Sequence, residues 1–234
     1  MVDVGSGQGH LSRFLAYGHD VRVFMFRSSR WEFVRGAKKF DNQLKETVEK
    51  MHRKYENLPP LPPPPRHTHC HLEPNMDPEV FREVVTSAWP ELESCGFEHG
   101  LLGLHTCGDL GPTLLRIFAN SPACHGVVSV GCCYMKLTVN EYAEAAVSRL
   151  KNVSLNKEDL NSEKTKENLS RWMQVVVYYS LRLLLAPVVE SIILLDRLIF
   201  LYERGIEGIL LPAFDPLLSP RNHVLVAIKK KEVS

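Results

Sequence analysis

Three glycines alternate with other residues near the start of the chain, directly after a short apolar run and an acidic residue. The acid is Asp3, the glycines are Gly5, Gly7 and Gly9, and a helix is predicted from Leu11. Glycine lets the main chain turn sharply after a strand and lets a ligand lie against bare backbone, which a β-carbon would prevent. Amides in the first turn of a helix lack intrahelical acceptors and can bind a carboxylate. The pattern therefore predicts a small-molecule binding loop.

The spacing of the glycines distinguishes two cofactors. The D-x-G-x-G-x-G arrangement is typical of S-adenosylmethionine (SAM) sites, in which the acid accepts a hydrogen bond from the amino group of the cofactor. A dinucleotide site instead needs G-x-G-x-x-G, with its third glycine where this chain has His10. A glycine-rich turn without a ligand is the remaining alternative. We predict SAM as the cofactor, bound by Asp3, Gly5, Ser6, Gly7, Gly9 and His10.

Three candidate catalytic residues follow two predicted buried strands: His105 and Asp109 come after 100–104, and Tyr134 comes after 126–130. Methyl transfer from a sulfonium is an in-line displacement that needs alignment, and a nitrogen or oxygen nucleophile also needs a proton acceptor. We predict His105 and Asp109 as the base or as substrate-positioning groups. Tyr134 would stack on a base or close over adenine. The alternatives are a structural histidine at the strand end and an N-cap role for Asp109.

Apolar runs that alternate with helical patterns predict the elements holding these residues. We predict strands at 2–4, 21–26, 100–104, 126–130, 209–211 and 224–228, with helices at 11–16, 31–55, 78–89, 114–118 and 175–202. This alternation indicates an α/β fold, Rossmann-like, with a mostly parallel sheet covered on both faces and a closing antiparallel strand pair. Ligands of such sheets bind at the carboxyl ends of the strands, where the candidate residues lie.

A single domain over 1–234 with two insertions is predicted. The first insertion, at 56–79, is a proline- and histidine-rich loop, and its residues 58–65 predict a polyproline stretch on the surface. That stretch is either a stiff loop or a ligand for a proline-motif-binding SH3 or WW domain. The second insertion, at 138–172, is polar and predicts a helical or disordered segment.

The longest predicted helix is apolar enough at 183–201 for a hydropathy scan to flag it as a membrane span. Insertion is disfavoured, because Glu190, Asp196 and Arg197 cost about 2.5 to 3.5 kcal/mol each at the centre of a bilayer. Glu190, Arg197 and Arg204 recur every seven residues and form one polar stripe. We therefore predict a buried helix packed on the sheet, with membrane association as the alternative.

The composition is that of ordinary globular material, with 44% apolar and 24% charged residues. The formal net charge is +1, so no global field attracts nucleic acid, and we predict no DNA partner. RNA binding would depend on local basic patches, at 27–39 and 229–231.

The six cysteines show no C-x-x-C spacing and no secretory signal precedes them. They predict reduced thiols and an intracellular protein, cytoplasmic or nuclear. His67, His69, Cys70 and His71 resemble a set of metal ligands, but a short strand or loop is favoured, and we predict no metal.

Several sequence blocks together resemble the methyltransferase-like protein 25 family, which includes a paralogue named for a ribosomal RNA adenine dimethylase domain. The blocks occur in family order, at 2–12, 103–110, 129–137, 186–190 and 218–222. The H-x-C-G turn at 105–108 and the Cys-Cys pair at 132–133 are also similar to a family of tRNA methyltransferases. The resemblance implies a class I SAM-dependent methyltransferase fold, with Asp3 and the three glycines as cofactor contacts. We expect RNA as the substrate, with protein second.

The chain departs from the family pattern in three places. The second strand ends at Arg27, where an acid would accept hydrogen bonds from both ribose hydroxyls. The amino-terminal region of the family is absent, and the insertion after Tyr134 is shorter. The chain also lacks the Asn/Asp-Pro-Pro-aromatic motif of adenine amino-group methylation. We therefore expect a shortened or divergent member, with a catalytically inactive binding or scaffold protein as the alternative.

Overall fold

The computed structural model describes residues 1–27, 31–55, 62–70, 72–87, 89, 98–131, 133–137 and 162–230. The chain divides into two compact units. One unit comprises Met1–Lys136 and Arg197–Ser234, and the other comprises Leu137–Asp196. The single domain with two insertions predicted over 1–234 stays a prediction.

The described residues of the first unit form a sheet with helices between its strands. Its strands are β1 (Val2–Val4), β2 (Phe24–Arg27), β3 (Arg66–His69), β4 (His99–Gly103), β5 (Cys124–Ser129), β6 (Gly208–Pro212) and β7 (His223–Ile228). The helices among the described residues are α1 (His10–His19), α2 (Trp31–Lys54), α3 (Pro78–Thr86), α4 (Leu110–Asn120), α5 (Glu163–Ser170) and α6 (Trp172–Tyr202), with a 3₁₀ turn at Tyr134–Lys136. The helix α5 lies in the second unit, and α6 runs from the second unit into the first.

The sheet confirms the predicted fold class. Its strand order is β3-β2-β1-β4-β5-β7-β6. The pairs among β1 to β5 are parallel, whereas β7 is antiparallel to β5 and to β6. The connection direction reverses between β1 and β4, which makes the carboxyl ends of these two strands the topological switch point of a Rossmann-like sheet.

Burial on both faces explains why the parallel strands read as continuous apolar runs. Phe24 and Phe26 of β2 lie in the main core, where the Phe26 ring stacks on Phe81 with the centroids 5.0 Å apart. The intervening residue, Met25, packs in a second cluster with Ala16 of α1. Successive side chains of a strand point to opposite faces, so β2 is covered from both sides.

The first predicted insertion contains a strand of the sheet. Residues 66–69 of the segment predicted as a loop at 56–79 form β3, which pairs in parallel with β2 in the register Met25↔His67. Residues 62–65 precede it without regular structure, and residues 56–61 lie outside the described part of the chain. Of the short strand or loop predicted around His67 and His69, the structure has the strand, which ladder hydrogen bonds to β2 stabilise.

Part of the second predicted insertion is helical. Ser162 is the N-cap of α5, and its hydroxyl accepts from the Thr165 amide at 3.2 Å. Residues 138–161, which make up the rest of that prediction, lie outside the described residues.

The prediction of a buried α6 was wrong for most of its length. Its large apolar side chains are mainly exposed, and Leu184 reaches 73% exposure. Glu190 and Arg197, predicted as a polar stripe, are buried instead. The residues from Trp172 to Leu185 are exposed all round the helix, so their apolar character selects no single face for packing. Among the described residues, no helix is long and apolar enough to cross a membrane.

Candidate functional site

The glycine loop connects β1 to α1 at the switch point of the sheet. Gly5, Gly7 and Gly9 all have positive φ, at 76°, 53° and 77°. The loop is tied to the end of the neighbouring strand, because the Gly5 and Ser6 amides donate to the Phe26 carbonyl at 3.1 and 3.4 Å. The Gly9 amide donates back to the Ser6 carbonyl at 2.7 Å. The observed backbone therefore needs glycine at the three positions where the sequence has it.

The loop presents open backbone at the start of a helix. A β-carbon added at Gly7 would meet no other described atom within 4 Å. Gly9 occupies the N-cap of α1 and makes no side-chain capping bond. First-turn amides of α1 therefore receive no side-chain cap from this residue and can face a ligand. A side chain at Gly7 would occupy this open space.

The Asp3 side chain, predicted to bind the cofactor amino group, is buried against α1. Its carboxylate is 2% exposed and accepts from the hydroxyl of Ser12 on α1. A carboxylate enclosed in this way stabilises the junction of β1 and α1, and the contact of Asp3 with the cofactor amino group stays a prediction.

The other two predicted cofactor residues lie in or beside the loop. Ser6 is half-buried, and its hydroxyl donates to the Phe26 carbonyl at 3.5 Å. His10 is exposed and packs edge-on against Phe40 of α2, with the ring centroids 5.1 Å apart. Its Nε2 lies 3.2 Å from Oε1 of Gln8.

The turn after β4 brings His105 beside the glycine loop. A β-carbon at Gly5 would lie 3.8 Å from the His105 carbonyl oxygen, so the two loops are neighbours. The His105 side chain is exposed. The following residue, Thr106, is buried and holds the turn, since its hydroxyl lies 3.1 Å from the Ser129 hydroxyl and donates to the Val130 carbonyl at 3.1 Å.

Asp109 lies at the N-cap of α4 but does not cap it with its side chain. Its carbonyl accepts from the amide of Thr113 at 3.0 Å and from the hydroxyl of Thr113 at 2.7 Å. Its side chain is half-buried. The position is therefore that of the N-cap alternative, whereas the hydrogen bond expected of a capping aspartate is not made.

Tyr134 lies in the turn after β5 and is largely buried, with its side chain 9% exposed. The guanidinium groups of Arg197 and Arg221 both lie over its ring, each 5.5 Å from the centroid. The role predicted for this ring, stacking on a base or closing over adenine, stays a prediction.

Four of the six cysteines lie in the described part of the chain. Cys70, Cys107, Cys124 and Cys133 are described there and form no disulfide with one another, whereas Cys95 and Cys132 lie outside the described residues. Burial raises the pKa of Cys124 to about 11, so this thiol is not a nucleophile near neutral pH. Among the described side chains, no group of three or more His, Cys, Asp or Glu is arranged to hold a metal ion.

The two predicted basic patches differ in what the structure shows. At the end of the chain, the Lys229 amine donates to the Ser121 carbonyl at 2.8 Å, and burial lowers its pKa. Lys230 lies 3.3 Å from a carboxylate oxygen of Glu207. Both cations therefore have partners within the protein. The other patch, at 27–39, includes the side chain of Lys39, which is exposed.

The structure places the end of β2 beside the loop, as a ribose-binding strand requires. Phe26 is in register with Val4, and its carbonyl accepts from the loop amides. The last strand residue is Arg27, so the residue in the position expected for the ribose acid is basic. Ser28 and Ser29 lie outside the described residues.

Sequence reasoning missed a polar connection behind the glycine loop. Arg13 of α1 donates to the Gln8 carbonyl at 2.7 Å and to the carboxylate of Asp41 on α2 at 2.7 Å. Asp41 also lies 2.9 Å from Nε2 of His67 on β3. The one signal in the sequence was a charged residue between Ser12 and Ala16 on the buried face of α1. Nothing local identifies Asp41 as its partner, which lies 28 residues further along the chain.

Comparison with known proteins finds a family that matches the part of the chain holding this site. A family profile described as "Methyltransferase domain" matches residues 1–140, which include the glycine loop, β4 and the turn after β5. The chain belongs to this methyltransferase domain family. The matched region holds every predicted site residue.

Two curated relatives confirm the resemblance to methyltransferase-like protein 25. "Probable methyltransferase-like protein 25" of Homo sapiens is 26% identical over 235 aligned residues, covering 61% of this chain and 38% of the human protein. The protein of the same name from Mus musculus is 25% identical, covering 60% of this chain and 38% of its own length. The match thus spans well under half of each relative, and the identity shows a divergent member.

Proposed function

We propose that this methyltransferase domain binds SAM in the loop from Gly5 to Gly9 and transfers a methyl group to RNA. The observation that carries the proposal is the loop itself. Three left-handed glycines lie at the topological switch point and lead into a helix that has no side-chain cap at Gly9. Backbone amides at a helix start favour an anionic group, such as the carboxylate of a methionine moiety.

The residues present fit one end of this cofactor better than the other. The open space at Gly7 accommodates the methionine end, with Gly5, Ser6, Gly9 and His10 around it. The end of β2 does not fit the adenosine end in the usual way, because Arg27 stands where a carboxylate would bind the ribose hydroxyls. When bound, SAM would supply an electrophilic methyl group on a sulfonium.

The residues of the chain would align the methyl acceptor and remove its proton. His105 is exposed, and its carbonyl lies close to Gly5 of the loop, which suits a base or a positioning group. Asp109 lies one turn further, at the start of α4, where it could orient the substrate. The bonds of Thr106 to Ser129 and Val130 hold this turn in place, as alignment of a nucleophile requires.

RNA is the proposed acceptor and protein is the second candidate. The family resemblance supports RNA, and the basic residues within 27–39 of the sequence would supply phosphate contacts. The described cysteines form no disulfide with one another, which supports an intracellular location as part of the same proposal.

The proposal is tested by calorimetric titration of the purified chain with SAM, followed by transfer of a labelled methyl group to RNA or to protein. We expect His105→Ala to abolish transfer with little change in SAM affinity. His19→Ala, an exposed histidine at the other end of α1, is the matched control and should transfer normally. Transfer by His105→Ala at the normal rate would remove that residue from the mechanism.

A non-catalytic binding module is the second candidate function, and Arg27 is the observation that favours it. A domain that has lost its ribose acid could keep the fold as a scaffold, with the proline run at 58–65 as a docking segment. Absence of SAM binding in the titration would support this alternative over the enzyme.

A further inference from the structure

The Arg13 side chain joins the glycine loop to two other elements of the first unit. Its Nη2 donates to the Gln8 carbonyl at 2.7 Å, and its Nε donates to Oδ1 of Asp41 at 2.7 Å. The second carboxylate oxygen of Asp41 lies 2.9 Å from Nε2 of His67. The series therefore runs from the loop through α1 and α2 to β3. These side chains are 9%, 17% and 19% exposed for Arg13, Asp41 and His67.

The carbonyl held by Arg13 belongs to the central part of the loop. Gln8 lies between Gly7 and Gly9, whose left-handed conformations interrupt regular backbone pairing. The peptide group that links Gln8 to Gly9 is held at both ends. Its carbonyl accepts from Arg13, and its amide donates to the Ser6 carbonyl at 2.7 Å. Because a peptide group is planar, the two bonds together fix the orientation of this peptide within the loop.

Asp41 and its neighbours hold the guanidinium in one orientation. Burial by itself would raise the pKa of Asp41, but hydrogen bonds from His67 and Arg13, together with the charge of Arg13, outweigh burial and lower that pKa. The carboxylate is thus charged at neutral pH and paired with Arg13. The Phe40 ring lies under the guanidinium, with its centroid 5.4 Å from the Arg13 Cζ. A planar cation bound at its edge and its face has little rotational freedom.

We propose that Arg13 is a positioning residue for cofactor binding, which fixes the Gln8–Gly9 peptide and so the backbone path of the binding loop, while Asp41 and His67 hold Arg13. The proposal rests on the proposed binding of SAM to this loop. It differs from a purely structural ion pair, because only the bond to the Gln8 carbonyl reaches the binding loop.

The first variant, Arg13→Lys, changes the geometry of the hydrogen-bond donor and keeps its positive charge. The lysine can pair with Asp41 or donate to Gln8, but it lacks the branched guanidinium group that donates to both at once. Asp41→Asn keeps the shape and removes the charge that orients Arg13. Arg116→Lys is the matched control, since Arg116 also donates to a main-chain carbonyl, that of Pro74, in another part of the unit.

Two measurements separate loop positioning from general stability. The first is hydrogen exchange of peptides covering the loop in the cofactor-free protein, and the second is the Kd for SAM. We expect Arg13→Lys to raise loop exchange and the Kd by about tenfold each, the loss of one charge-assisted hydrogen bond. Asp41→Asn should raise both by about threefold, because the bond to Gln8 persists with a less ordered donor. Arg116→Lys should change neither.

The outcomes distinguish this proposal from the proposed function. Unchanged loop exchange and Kd in Arg13→Lys would overturn the positioning role. Exchange that rises equally across the whole unit, or equally in Arg116→Lys, would also overturn it, because it would indicate general loosening. If the unsubstituted chain binds no SAM, the proposed function fails. Increased loop exchange in cofactor-free Arg13→Lys would then still support Arg13 as the group that holds the loop.

Discussion

Replacement of Gly7 by alanine separates cofactor binding from backbone strain, because the chain contains a matched glycine elsewhere. Gly7 has φ of 53°, and a β-carbon there would meet no described atom within 4 Å. Gly205, after the end of α6, has φ of 69° and is equally open. Its amide donates to Tyr202 and the next amide donates to Leu201, which is the hydrogen-bond pattern of a helix C-terminal turn. Both substitutions therefore impose the same left-handed conformation without a clash.

The expected loss of stability is the same for Gly7→Ala and Gly205→Ala. A non-glycine residue in the left-handed region costs about 1 to 2 kcal/mol. For a chain of this size the melting temperature should fall by about 2 to 8 °C. Neither variant should unfold, and the two should agree within the error of a calorimetric scan in the absence of ligand.

The expected effect on affinity differs between the two variants. At Gly7 the added methyl group occupies the open face of the loop, where the proposed ligand lies against the backbone. Displacing a carboxylate from one charge-assisted hydrogen bond costs about 1.5 to 3 kcal/mol, which weakens SAM binding by about 10- to 150-fold. The larger side chain of Gly7→Val should abolish detectable binding. Gly205→Ala should bind SAM as the unsubstituted chain does.

Isothermal titration calorimetry with SAM gives the affinities, and differential scanning calorimetry gives the stabilities. The reasoning is refuted if Gly7→Ala and Gly205→Ala bind SAM equally, since the open loop would then not be the cofactor site. A much larger fall in melting temperature for Gly7→Ala than for Gly205→Ala would show that Gly7 meets atoms in the folded protein, contrary to the structure.

Three further predictions concern the end of β2, the β4 turn and the pH dependence of stability. Arg27→Asp or Ser28→Asp should tighten SAM binding about tenfold by restoring a ribose acceptor, measured by the same titration; unchanged affinity in both would place the ribose elsewhere. Gly103→Ala should destabilise the unit by about 1 to 3 kcal/mol in urea unfolding, because its β-carbon would overlap the Thr106 side chain, and a smaller loss would show that this turn relaxes freely. Burial, with nearby positive charges, lowers the pKa of His99 from 6.5 to about 4. The unfolded chain therefore binds more protons between these values, and stability should fall as the pH drops from about 6.5 to about 4. Urea unfolding at pH 7 and 4.5 should show a smaller loss for His99→Asn, and an equal loss in both proteins would contradict the assignment.

The local features of the fold could be read from the sequence because they depend on neighbours along the chain. The left-handed turns at Gly5, Gly7 and Gly9 need glycine wherever they occur, so the residue type predicts the conformation. The strands at β1, β4 and β5 are short apolar runs because the sheet is covered on both faces. The order of these elements in turn predicts that His105 lies near the loop, since neighbouring parallel strands end at the same edge of the sheet.

The features that the sequence could not determine depend on residues far apart along the chain. Asp3 has the position of a cofactor ligand in the sequence, but the hydroxyl of Ser12 binds its carboxylate in the folded protein. Tyr134 follows β5 as predicted, yet Arg197 and Arg221 cover its ring from positions more than sixty residues away. The strand β3 contains no apolar pattern and forms because β2 offers it a hydrogen-bonding edge.

The contacts from Arg13 to Asp41 and His67 show most clearly the difference between what the sequence and what the tertiary structure determines. Each of the three residues could equally lie on a solvated surface, where charged side chains are usually found. Only the packing of α1 against α2 and of β2 against β3 brings the three together within hydrogen-bond distance. The sequence by itself determined where the backbone of the binding loop turns, because that depends on steric limits within single residues. The tertiary structure decided which side chains support the loop, because hydrogen bonds and burial act between groups that the chain separates.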